Sequence, residues 1–215
     1  METDEGGVRS VKEISPDALL KCLNLGATRD SVRSGQLPRN CLSFAEHADG
    51  GRDVWLIHGG ERADIGFMGS IYRGFPLPRL AFGFSLEADG RVLSWSLAVT
   101  EDGPWPEWGS PTYRWPFANV HGNGRICIGN NPLPKYPDLR TLEGLAHRIV
   151  ALPHNMHGFS AAGNRKGAGM RELLEEIKDK DREHYYREVL VRDGRTLADY
   201  IGGRAGQGRR MPDAA

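Results

Sequence analysis

The stretch LAFGFSLEADGRVLSWSLAVTE, residues 80–101, constrains the fold more than any other part of the chain. Two alternating apolar runs flank Asp89-Gly90. A turn that needs a positive φ takes glycine at no steric cost, so this dipeptide between two strand-like runs predicts an antiparallel hairpin. Upstream, CLSFAEH (41–47) and VWLIH (54–58) are separated by ADGGRD, a second turn signal. Together these runs predict an antiparallel meander of about four strands. The intervening IGFMGSIYRGFPLPRL is interrupted by glycines and by Pro76 and Pro78, which reads as a loop or a short edge segment.

Helical periodicity flanks the strands. SPDALLKCLNLGA has Ser15 as an N-cap, Pro16 at the first helical position and Gly26 as a stop, which makes Cys22 a small core residue. Residues 138–152 place Leu142, Leu145, Ala146 and Ile149 on one face and end before Pro153. Residues 169–190 place Leu173, Leu174, Ile177, Tyr185 and Val189 opposite a charged face. The order of helix, antiparallel strands, long loop and helices predicts an α+β fold. At 215 residues, with roughly 100–200 residues per domain, we expect a single domain over 11–200. Composition suggests a disordered tail at 1–10 and a flexible one at 201–215.

Charge and cysteine usage narrow the function classes. Lys+Arg and Asp+Glu each number 28, so the basic excess usual for nucleic-acid or membrane-surface partners is absent. Three cysteines, Cys22, Cys41 and Cys127, do not make a disulfide framework. The N-terminus is acidic and polar, unlike a secretory signal. No window approaches the ~20 apolar residues of a membrane-spanning helix. A cytoplasmic protein is expected.

Between the meander and the C-terminal helices runs a long irregular stretch, about 102–138. It carries Trp105, Trp108, Tyr113, Trp115 and Phe117. Disordered segments are poor in aromatics, so we expect this one to be packed. Within it, PFANVHGNGRICIGN (116–130) sets Cys127 in a loop rich in glycine and asparagine. Asn119 lies eight residues before the cysteine, Gly124 three before it and Ile126 one before it.

This pattern resembles the active-site flap of ubiquitin-conjugating enzymes, in which an asparagine leads through a glycine turn into Ile-Cys. The element order also resembles that fold: a four-stranded antiparallel meander, an active-site flap and flanking helices. Pro116–Val120 with Gly124–Gly129, and the Pro-x-Pro of FPLPRLAFGF, resemble a bacterial ubiquitin-conjugating-enzyme-like family, typified by PRTRC system protein B. The resemblance covers roughly residues 38–160. It implies that Cys127 carries a ubiquitin-like protein as a thioester. It also implies a ThiF-like activating enzyme and a JAB-type metallopeptidase as partners, and no bound cofactor. Three departures stand out. Phe117 and Ala118 replace the His-Pro before the asparagine. Ile128-Gly129 replaces Leu-Asp after the cysteine. No carboxylate occurs in NMHGFSAAG, where the eukaryotic family often has an acidic residue.

Thioester chemistry suits cysteine, whose thiolate is both a good nucleophile and a good leaving group. Ile126 and Ile128 would anchor the flap by pointing away from Cys127. Asn119 is a candidate for oxyanion stabilisation or for holding the flap; a structural turn asparagine is the alternative. His121 is the candidate base, with His147, His154, His157 and Asp138 as further candidates. Rival readings are a metal site using His154 and His157 with Cys127 or His121, a Cys/His hydrolase, a catalytically weak scaffold that binds a ubiquitin-like protein, and Cys127 as a small buried residue.

Overall fold

The computed structural model describes residues 2–5, 8–11, 15–16, 34–60, 62–103, 105–127, 129 and 134–202. The chain divides into two compact units, Met1–Gly35 and Gln36–Ala215. The boundary falls inside the span expected as one domain. In the first unit, β1 (Glu2–Glu5) and β2 (Val8–Val11) pair as an antiparallel hairpin. Composition had suggested a disordered tail there. The helix expected from Ser15 to Gly26, with Cys22, lies outside the described residues beyond Ser15 and Pro16, as do 203–215 of the expected C-terminal tail.

The second unit is α+β, as expected, and is built on a six-stranded antiparallel sheet. Its strands are β3 (Cys41–Glu46), β4 (Arg52–His58), β7 (Leu80–Leu86), β8 (Val92–Thr100), β9 (Pro111–Tyr113) and β10 (Arg192–Thr196), in the spatial order β10-β9-β8-β7-β4-β3. The hairpin read from residues 80–101 forms, with Phe82 opposite Leu97 and Phe84 opposite Trp95. Gly90 takes φ 87° as the turn requires. Its tip is closed by Glu87 N–H donating to the Arg91 carbonyl at 2.8 Å. Two further strands extend the four expected, because β9 and β10 pair along the β8 edge.

Three other expectations are corrected. The segment 65–80, expected as a loop or a short edge segment, contributes most of a separate two-stranded hairpin, β5 (Ala63–Phe67) with β6 (Ser70–Phe75). Met68 at φ 45° and Gly69 at φ 83° make its turn; of the glycines that read as breakers, Gly69 is a turn residue, whereas Gly66 and Gly74 lie within the strands. The helix expected over 169–190 stops early. It comprises α2 (Met170–Ile177), then a break, then a helical turn Arg182–His184 running into a π-helical turn Tyr185–Val189. Asp181 restarts it by accepting from the His184 N–H at 2.8 Å. Finally, α3 (Leu197–Gly202) follows β10 where no element was expected. Thr196 and Asp199 cap it reciprocally, the Asp199 carboxylate accepting from Thr196 N–H at 2.8 Å and Thr196 Oγ1 from Asp199 N–H at 3.3 Å. The helix expected near 138–152 is present as a 3₁₀ turn, Leu139–Leu142, leading into α1 (Glu143–Val150).

Alternation along the central strands divides the interior into two cores. Val54, Leu56, Phe82, Phe84, Leu97 and Val99 face the larger one, shared with the β5–β6 hairpin, α1 and α2. Trp55, Ile57, Ala81 and Ala98 face a smaller one, covered by Leu197 and Tyr200 of α3. The small residues on that second face make room for the Trp55 indole. A Cβ on Gly83 would lie 2.5 Å from its ring, so the alternation of large and small in AFGF is a packing requirement.

The loop expected to be packed is divided. Tyr113 and Phe117 are buried, whereas Trp105 and Trp108 are more than half exposed. Phe117 packs edge-on against Phe75, Trp115 and Tyr185. Tyr185 is fully buried and donates its hydroxyl to the Pro76 carbonyl at 2.8 Å. Pro76 follows the end of β6, so its carbonyl lies beyond the strand ladder, and the phenol supplies its partner. Tyr185→Phe should therefore cost about 1–3 kcal/mol in urea unfolding, the penalty for a buried acceptor left unsatisfied. A loss below measurement error would mean that water replaces the phenol.

Candidate functional site

The flap is a second, smaller hairpin laid against the sheet. Val120 pairs with Ile126, and Cys127 N–H donates to the Asn119 carbonyl at 2.8 Å. Between them, His121–Gly124 form a turn in which Gly124 N–H donates to the His121 carbonyl at 2.8 Å. Asn123 Oδ1 accepts from Arg125 N–H at 3.0 Å, the local asparagine geometry that favours such turns. The returning strand docks on β8: Leu97 N–H donates to the Gly124 carbonyl at 2.8 Å, and Ile126 N–H to the Trp95 carbonyl at 3.0 Å. Ile126 is buried, so it anchors the flap as its alternation with Cys127 predicts. Ile128, the other expected anchor, lies outside the described residues.

The C-terminal element also clamps the flap. Gly124 sits at φ 83°, and a Cβ there would lie 2.4 Å from the Tyr200 ring. Arg195 donates to the Gly122 carbonyl at 2.8 Å and stacks over the Tyr200 ring, 4.1 Å from its centroid. Asp193 orders the pair, accepting from the Tyr200 hydroxyl at 2.8 Å and from Arg195 at 3.0 Å. Burial acts to raise the Asp193 carboxyl. Hydrogen bonds from the Arg195 backbone, Tyr200 and Thr112 outweigh it and hold the group below the ordinary range.

Asn119 holds the flap. It adopts φ 67°, a left-handed conformation that asparagine tolerates better than most residues. Its N–H donates to the His157 carbonyl at 2.9 Å, and its Nδ2 to the Pro153 carbonyl at 3.2 Å. These bonds fix the loop 153–158 alongside the flap. The same loop donates from His154 N–H to the Gly66 carbonyl of β5 at 2.7 Å.

That loop turns its two histidines in opposite directions. His157 is exposed and meets Cys127 and His121. The Cys127 thiol and one nitrogen of each imidazole all lie within 4.8 Å of one another, with the cysteine half-buried and both histidines exposed. The imidazole rings stand perpendicular, their centroids 5.5 Å apart. Neither ring hydrogen-bonds to another described residue. A cleft of about 240 Å³ opens beside His121, lined by Arg114, Trp115, Gly158, Arg195 and Tyr200.

The other candidates lie elsewhere. His154 is buried, 5% exposed, with Trp115 alongside. His147, on α1, lies 3.4 Å from His58. Asp138 caps the 3₁₀ turn and pairs with Arg140, which draws its carboxyl below the ordinary range. The metal reading that joined His154 with His157 is corrected: His157 faces Cys127 and His154 points inward. Sequence reading missed Asp193, Arg195 and Tyr200. Their signal was the Thr196-x-x-Asp199 capping box, which marks a helix start at the end of the expected domain, where no element was read. Of the remaining thiols, Cys41 is pushed up by burial, which makes it a poor nucleophile.

Two measurements test this architecture. Gly124→Ala adds a side chain at positive φ against Tyr200 and the Leu97 carbonyl, so it should cost about 1–3 kcal/mol in thermal or urea unfolding; an unchanged midpoint would show that the clamp is not formed. Burial pushes the His154 imidazole below its ordinary range. The nearby Val150 and Ala118 carbonyls favour the proton, but neither ring nitrogen makes a well-formed hydrogen bond, and desolvation dominates. The unfolded chain therefore binds this proton more readily than the folded one. Its stabilising contribution is complete above about pH 6.5 and is lost as pH falls, with a slope of up to about 1.4 kcal/mol per pH unit. His154→Phe should flatten the acid limb of the stability profile; an unaltered slope would assign that limb to other groups.

Compared with protein-family models, curated proteins and solved structures, the chain matches none of them.

Proposed function

We propose that the protein is an acyltransferase that carries a ubiquitin-like protein as a thioester on Cys127 and transfers it to an amine. The observation that carries this reading is the half-buried Cys127 thiol at the end of a hairpin flap, with two exposed imidazoles within 4.8 Å. The flap follows the meander of β3, β4, β7 and β8 and precedes the C-terminal helices, the order that the resemblance implies, and the α+β architecture is compatible with that fold.

The chemistry follows from the groups at hand. The Cys127 thiolate attacks the carbonyl of a thioester held by an activating enzyme of ThiF-like type. The activating enzyme's sulfur leaves and is protonated, and the acyl group is then on Cys127. An amine attacks next. The tetrahedral intermediate collapses with the Cys127 thiolate as leaving group, and the nitrogen gives up a proton. His121 is the proposed acceptor of that proton, with His157 beside it. A positioned general base contributes about 10²–10⁴-fold. Asn119 spends its backbone and one amide proton on holding the flap, so its proposed role is to position Cys127. The cleft beside His121 is lined in part by glycines, which suits the close backbone approach of an extended tail. The JAB-type metallopeptidase remains a partner on the resemblance alone.

A Cys/His hydrolase would use the same cysteine and histidine. A third group often orients the imidazole in such enzymes, and among the described residues no carboxylate or amide side chain hydrogen-bonds to His121 or His157; the requirement for an activating enzyme is what separates the two readings.

The test mixes the protein with ATP, a ThiF-like activating enzyme and a ubiquitin-like protein encoded beside it. An adduct cleaved by added thiols is expected. It should vanish in Cys127→Ala and become thiol-resistant in Cys127→Ser. His121→Ala should load normally but discharge to a free amine about 10²–10⁴-fold more slowly. Absence of any adduct with competent partners would overturn the reading, as would hydrolysis of a thioester substrate without the activating enzyme.

A further inference from the structure

The three side chains of the site also match the ligand set of a borderline-soft metal ion. Thiolate and imidazole are the usual zinc donors, at about 2.3 Å for sulfur and 2.0–2.1 Å for nitrogen. Tetrahedral geometry at those bond lengths sets the donors about 3.3–3.6 Å apart. The Cys127 sulfur and the His121 and His157 nitrogens now lie within 4.8 Å of one another. Closing that gap takes movement of about an ångström. Both imidazoles are exposed, and neither has a hydrogen bond to another described residue to give up.

The backbone beneath them is already fixed. Cys127 N–H bonds to the Asn119 carbonyl, Asn119 N–H to the His157 carbonyl, and His121 N–H to the Arg125 carbonyl. Gly158 at φ 72° lets the His157 loop approach the Val120 carbonyl, 3.3 Å from where a Cβ would stand. The donors thus project from two hydrogen-bonded segments, so ordering them costs little further chain entropy. Among the described residues this is the one group of three such side chains gathered within reach of a single ion.

We propose that Cys127, His121 and His157 bind a zinc ion that masks the thiol, with the fourth position open to solvent. Binding replaces the Cys127 S–H bond with an S–Zn bond and releases the proton to water. Three protein ligands and one open position make a solvent-accessible site rather than a closed structural one. The metal-free form exposes the nucleophile and leaves both imidazoles available as bases; the metal-bound form occupies all three. Metal binding stands on the three side chains alone, whereas control of acyl transfer rests on the function proposed above.

The experiment uses the full chain stripped of metal, titrated with cobalt and with zinc. Cys127→Ser, His121→Ala and His157→Ala are compared with wild type, and circular dichroism checks their folding. Wild type should take up one cobalt ion per chain, with a thiolate-to-cobalt charge-transfer band and the visible bands of a four-coordinate ion. The charge-transfer band should vanish in Cys127→Ser. Each histidine variant should bind at least about tenfold more weakly, since even the loss of an outer-shell partner costs about 10–100-fold. One equivalent of zinc should slow iodoacetamide labelling of Cys127, mapped by mass spectrometry, because the free thiolate is the nucleophile that reacts, and a chelator should restore it.

The proposal is overturned if folded wild type shows no saturable binding, if the charge-transfer band persists in Cys127→Ser, or if zinc leaves Cys127 labelling unchanged. Should a variant fail to fold, the labelling of wild type decides. Zinc protection without any thioester adduct would leave the metal site standing and remove the acyl-transfer reading. An adduct without zinc protection would do the reverse.

Discussion

Burial of Phe117 is the contact on which the larger core converges. The ring is 1% exposed and meets Phe75 of the β5–β6 hairpin, Trp115 before the flap and Tyr185 of the π-helical turn, all edge-to-face. Such pairs add about 0.5–1.5 kcal/mol each beyond their buried area. Three segments distant in sequence are thereby held around one side chain two residues before Asn119. The position is filled by an apolar ring that belongs to the core.

From that anchor the chain leaves the core at Asn119, turns through His121–Gly124 and returns beside β8. Two attachments hold it, of different kinds. Backbone hydrogen bonds from Leu97 and to Trp95 make the returning strand part of the β8 edge. Tyr200 and Arg195 press on Gly124 and Gly122. Glycine serves both, since a side chain at 124 would collide with the phenol and strain the backbone. The result is a thiol on a fixed support with two movable imidazoles above it, an arrangement that accommodates nucleophilic chemistry and metal coordination with the same atoms.

Much of this was legible before the fold was known, where the signal was local. Asp89-Gly90 between alternating runs, the apolar stripe from Leu142 to Ile149, and the alternation of Ile126 with Cys127 each express a geometry set within a few residues. Failures arose where local signals were ambiguous. The glycines of residues 66–74 mark both loops and hairpin turns, and pairing of β5 with β6 decides between them. The charged run Lys178–Asp181 continues a helical pattern, yet the chain breaks there so that Tyr185 can reach Pro76. Exposed Trp105 and Trp108 were expected to be packed because aromatic content says that a segment is ordered, not which of its rings the core admits.

The sequence by itself determined the antiparallel strands, the α+β class and a glycine-turned loop presenting Cys127, because turn chemistry and side-chain periodicity are properties of neighbouring residues. Tertiary structure alone decided which histidines meet the thiol. His154 and His157 are chemically identical and three residues apart. Only the docking of their loop between β5 and the flap turns one into the core and the other onto Cys127, since backbone bonds from distant strands set its path. The same holds for Arg195 and Tyr200, whose role depends on β10 pairing with β9 and bringing residues some seventy positions away onto the flap turn.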